Sequence, residues 1–78
     1  MRAAVSEMKE LFRTKDLVLI SFVEVLLRDA GIETLVVDED MNMMMPFGMM
    51  PRRVLVPEAS VEEARRLMIE ADLGKELP

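Results

Sequence analysis

Along this chain the hydrophobic pattern switches between a two-residue and a helical period, and each switch marks an element boundary. Residues 1–7 show no clear period and are expected to form a loose leader. Met8–Arg13 suggests a strand, although its alternation is broken where Leu11 and Phe12 stand side by side. Thr14-Lys15-Asp16 then reads as a turn, and either Thr14 or Asp16 can cap a helix by accepting a hydrogen bond from an otherwise free amide. Over Leu17–Ala30, Leu19, Ile20, Val23, Leu26, Leu27 and Ala30 fall on one face, with Ser21, Glu24 and Arg28 on a polar stripe. Val18, Phe22 and Val25 widen the apolar surface beyond what one small sheet needs. The β-branched residues make a strand the rival reading, but length and the polar stripe favour helix. Gly31 stands where a left-handed residue would end it.

Glu33–Asp38, with Leu35-Val36-Val37 at its centre, is the clearest strand. Residues 39–51 carry six of the nine methionines, and two prolines with a glycine argue against a long regular element. Arg52–Pro57 resumes as a strand, with Val54 and Val56 on one face and Arg53 and Leu55 on the other. The two strands around the methionine segment can pair as a long-looped hairpin, which would bring Asp38 or Asp40 towards Arg52 or Arg53. In the second helix Val61, Ala64, Leu67, Met68 and Ala71 share a face, and Glu62, Arg66 and Glu70 have ion-pair spacing. Ser60 and Glu63 match a capping box, and Gly74 is expected to end that helix. Leu73 or Leu77 can dock the tail, whose short length leaves a further strand undecided.

The expected order is β-α-β-β-α, with the middle strands antiparallel because one loop joins them. Val23, Leu26, Leu27, Leu35, Val37, Val54, Val56, Val61, Ala64 and Met68 are the expected core. A chain of 78 residues accommodates one such domain over 8–73, with a short tail at 74–78. Folding buries only about 60–65% of the extended-chain surface at this size, so the margin of stability is small or helped by self-association.

Composition removes whole classes of chemistry. The absence of cysteine excludes thiolate nucleophiles, disulfides and thiolate metal sites, and the absence of histidine excludes imidazole bases and ligands. Ten basic against fifteen acidic residues give a net charge of −5, which disfavours general attraction to nucleic acid or anionic lipid. No signal-like or spanning apolar run is visible, so the expectation is a cytoplasmic, non-enzymatic protein with no cofactor.

Three constellations remain as candidate chemistry. Met41, Met43, Met44, Met45, Met49 and Met50 could bind a soft ion such as copper(I) through thioethers. The preferred alternative is a contact loop, since methionine adapts to irregular partners, and an ordinary local core is the third reading. The expected contact residues are therefore Phe22, Met43, Met44, Met45, Phe47, Met49 and Met50, docking on another protein or on a second copy. Asp38-Glu39-Asp40 could offer oxygens to a hard cation but lacks the calcium-loop pattern. Arg52 and Arg53 could take an anion, or pair with Asp38 and Asp40, which together serve as candidate polar anchors.

The strings Met8–Thr14, Asp16–Ile32, Pro51–Pro57 and Glu62–Leu67, in that order, resemble a small bacterial family catalogued as a domain of unknown function and labelled a putative prokaryotic signal-transducing protein. The resemblance implies a ferredoxin-like α+β sandwich of the PII-like kind, with two helices on one face of an antiparallel sheet. It implies no catalytic residue. The segment 40–50 resembles a PII nucleotide-binding loop in neither composition nor length. The resulting expectation is a regulatory or protein-interaction domain; the alternative is a small-ligand or metal-responsive sensor.

Overall fold

Strand β1 (Met8–Thr14) hands over to helix α1 (Leu17–Asp29) through a doubly capped turn in the computed structural model, which describes residues 7–38 and 51–78. The Asp16 carboxylate accepts from the amides of Val18 at 3.0 Å and Leu19 at 3.2 Å, while the Thr14 hydroxyl accepts from the Asp16 amide at 3.1 Å. Both polar residues of the turn thus satisfy amides that the first helical turn leaves without partners. At the other end Gly31, at φ +79°, donates to the Arg28 carbonyl at 2.9 Å and Ile32 to that of Leu27 at 2.9 Å. This 6→1 and 5→2 bonding is the Schellman arrangement, which needs the left-handed residue glycine supplies without strain. It also turns Ile32 into the core beside Leu27.

Because Ile32 is drawn inward, the chain joins the sheet only at β2 (Leu35–Asp38), two residues later than the pattern predicts. Strand β3 (Arg52–Pro57) returns antiparallel to it, with Leu35 opposite Leu55 and Asp38 opposite Arg52. β1 pairs with the other edge of β3, also antiparallel, so the strand order is β1-β3-β2. The register of β1 against β3 shifts between Glu10 and Phe12, leaving Leu11 as the extra residue of a β-bulge. That bulge explains the broken alternation. Two neighbours on the bulged strand oppose one partner residue, so Leu11 and Phe12 are both buried, at 2% and 0% exposure.

Helix α2 (Val61–Glu70) starts where expected but not by the expected device. Ser60 closes a 3-10 turn over Glu58–Ser60, sits at φ −106° and ψ 0°, and makes no side-chain capping bond. A side-chain N-cap normally needs extended backbone, whereas here the chain enters the helix already coiled, with the Val61 amide bonded to the Glu58 carbonyl. Glu63 leans towards Arg66, at 3.9 Å, and Arg66 pairs with Glu70 at 2.9 Å. Replacing Ser60 by Ala is therefore expected to change stability by less than about 0.5 kcal/mol in a urea titration, as an ordinary surface substitution does.

The end of α2 is also set by a different residue from the one predicted. Leu73 donates to the Met68 carbonyl at 2.8 Å and Asp72 to that of Ile69 at 3.0 Å, another Schellman pattern. The left-handed position is occupied by Asp72, at φ 65°, and not by Gly74. Aspartate tolerates that conformation better than most residues but still pays a steric penalty for its Cβ. Asp72→Gly is expected to stabilise the fold by roughly 0.5–1 kcal/mol, read as a rise in melting temperature. Gly74 begins a second 3-10 turn, Gly74–Glu76, so the described tail forms no strand.

Ile20, Val23 and Leu27 of α1 meet Ala64 and Met68 of α2 over Phe12, Val54 and Val56 of the sheet. Both helices feed this single core and touch each other, which places them over the same face of the sheet. The expected core residues Leu26, Leu35, Val37 and Val61 are only half-buried. Leu35 and Val37 align with Leu55 and Arg53 on the opposite face, while Val61 is the first residue of its helix.

Candidate interaction surface

Helix α1 buries one side and leaves a second apolar side open. At 100° per residue, Ile20, Val23 and Leu27 point in one direction, while Val18, Phe22 and Val25 point nearly the opposite way. Val18 is 79% exposed, and Phe22 and Val25 are each 51% exposed. Leu17, in the first turn, is also largely exposed. The three residues that widened the apolar face in the sequence are therefore not core. They form a stripe along the outward side, with small Ser21 beside Phe22 and exposed Lys15 and Asp29 beyond its two ends.

A charged cluster sits at the other face of the sheet. Arg13 and Arg53 stand directly opposite one another on β1 and β3, a like-charge pairing that destabilises a sheet unless an anion bridges it. Glu10 supplies the bridge. One oxygen accepts from Arg13 at 2.8 Å and from Arg53 at 2.8 Å, and the other accepts from Arg13 at 3.0 Å. Hydrogen bonding from Arg13 leads, against an opposing desolvation, in holding the Glu10 carboxyl below its ordinary value, with Arg53 adding to the effect.

The hairpin places Asp38 opposite Arg52 in the backbone register, so those two anchors share a sheet position. Arg53 takes Glu10 as a partner, which the sequence reading missed. No short-range pattern could have indicated it: Glu10 and Arg53 are 43 positions apart and meet only because β1 lies beside β3. Asp40, Met43, Met44, Met45, Phe47, Met49 and Met50 lie outside the described residues.

Other surfaces offer less. A groove along α2 is lined by Glu62, Arg65, Arg66, Ile69 and Glu70, all from one solvated helix face already linked by the Arg66–Glu70 pair. Among the described residues no three acidic groups converge in a way that could hold a metal ion, and no helix is long and apolar enough to cross a membrane.

No curated protein matches the chain. A family model described as "putative prokaryotic signal transducing protein" matches residues 8–72, from the first residue of β1 to the left-handed Asp72 that ends α2. A match over most of the chain, spanning α1, α2 and strands β1 to β3 of the described residues, settles its membership: this α+β domain belongs to that family of unknown function.

Proposed function

We propose that this domain is a small non-enzymatic interaction module in prokaryotic signalling, working in the cytoplasm and presenting the outer side of α1 as its contact surface. The observation that carries the reading is the stripe Val18, Phe22 and Val25, half or more exposed on a helix whose other side is already fully engaged. A solvent-facing helix side of a small domain has no folding reason to be apolar, and contiguous exposed apolar surface marks contact sites. Aromatic residues flanked by aliphatic ones are the usual energetic centre of such contacts. Membership of a family described as signal transducing agrees with a domain that acts by binding. The ferredoxin-like comparison is supported by topology: β1 and β2 both run antiparallel to the β3 strand between them, so β1-α1-β2 forms a split β-α-β unit. The methionine-rich segment assigned to the same role in the sequence lies outside the described residues, and the proposal stands on α1 alone.

The test is site-specific photo-crosslinking in cells of the protein's native host. A benzophenone side chain at position 22 should give a discrete covalent adduct, either with another protein or with a second copy. The adduct should disappear when Val18 and Val25 are both replaced by Ser, and should be absent when the probe is placed at Glu62 on α2. No adduct at position 22, or equal adducts at positions 22 and 62, would remove the assignment.

A further inference from the structure

We infer that the occupant of this surface is a second copy of the chain, paired through antiparallel α1 helices that cross at Phe22. The inference rests on the reading of α1 as the contact surface and adds its partner. Asp29, the last residue of α1, lies seven residues and about 10 Å along the axis beyond Phe22, and Lys15, just before the Asp16 cap, stands seven residues before Phe22 at the opposite end. A two-fold axis beside Phe22 carries Lys15 of one copy over Asp29 of the other, and does so twice. Lys15 and Asp29 are exposed and make no ion pair among the described residues. The same operation sets the positive N-terminal end of each helix beside the negative C-terminal end of its partner. A parallel pairing would place like over like at both ends.

The contact is self-complementary, as a two-fold interface must be: one patch meets its own copy. Val18 and Val25 of one copy flank Phe22 of the other, and Ser21 is small enough to let the helix axes approach to the roughly 8–10 Å of packed helices. Pairing through β1 is disfavoured, because the bulge at Leu11 disrupts that edge strand, a feature that blocks edge-to-edge association. With only a few side chains per copy, the buried area falls below the ~800 Å² per partner of a standard interface. The dimer is accordingly weak, with a dissociation constant on the order of 10–100 μM.

Sedimentation of the full chain from about 5 to about 500 μM tests this. The wild type should pass from monomer to dimer, and Phe22→Ser should weaken association at least tenfold. Lys15→Asp or Asp29→Lys alone should weaken it several-fold by turning two attractions into repulsions. The double variant K15D/D29K should return to near the wild-type constant. All three substitutions change exposed positions, and a circular dichroism melt like that of the wild type confirms that each of the four variants is folded. A wild type that stays monomeric across the range, or a double charge swap that fails to restore association, overturns self-pairing. Monomeric chain together with a position-22 adduct to a different protein would overturn self-pairing while leaving α1 as the contact surface. Monomeric chain with no adduct would overturn both.

Discussion

Replacing Phe12 by Ala should destabilise the domain by about 3–5 kcal/mol, the range for removing a fully buried aromatic side chain. Phe12 has no exposed surface and is, among the described residues, the largest side chain buried to that degree. It stands opposite Val54 at the β1–β3 junction, beneath both helices. The bulge holds it there together with Leu11, so the cavity left by Ala would be walled by two strands with little freedom to close. A domain of this size has a total stability near the low end of roughly 5–15 kcal/mol, so this one change should consume most of the margin. Urea denaturation of the variant should show a midpoint close to zero denaturant or a chain already unfolded. Phe22→Ala is the matched control, because the half-exposed ring on α1 should change stability by no more than about 0.5 kcal/mol. A Phe12→Ala loss below about 1 kcal/mol would show that the β1–β3 packing described above is wrong.

The second large effect is expected at Glu10. Glu10→Gln should cost about 1–1.5 kcal/mol at neutral pH, below the usual ~1.5–3 kcal/mol for hydrogen bonds to a charged group because solvent reaches the cluster. The Glu10 side chain is 23% exposed and that of Arg53 38%. The amide can still accept hydrogen bonds, but it no longer offsets the repulsion between Arg13 and Arg53 across the strands. The sign of the pH dependence follows from the lowered pKa of the carboxyl. A depressed folded-state pKa contributes stability that is fully present above the ordinary carboxyl value of 4.5 and is lost as pH falls through the folded value. Wild type and E10Q should therefore differ at pH 7 and converge as the pH is lowered below 4.5. Parallel stability profiles through that acid range would mean that the carboxylate contributes nothing through its charge.

Much of the architecture was legible because it depends on neighbours in the chain. The start of α1 at Asp16 and its end at Gly31 follow from local bonding, and the antiparallel pairing of β2 with β3 was expected, although β2 begins two residues later than the pattern put it. Ser60 shows the limit of a motif. The capping-box letters were present, but the preceding 3-10 turn had already set the backbone, so the hydroxyl had no capping bond to make. Asp72 shows the converse, since it takes the left-handed position while Gly74, of the residue type that usually supplies it, stands two places further on.

The candidate surface divides in the same way. That α1 carries more apolar residues than one core face requires was visible from Val18, Phe22 and Val25. Which of the apolar residues stay outside was not, because helical spacing gives relative directions and only docking selects the side that is covered. The Glu10–Arg53 contact was likewise invisible, being a product of strand order and not of spacing. The sequence by itself determined the main elements, both ends of α1 and the removal of thiol and imidazole chemistry, since propensity, periodicity and composition act within a few residues. Only the tertiary structure decided the bulge that buries both Leu11 and Phe12, the carboxylate shared by two arginines and the apolar stripe left open on α1, because each depends on residues distant in the chain meeting in space.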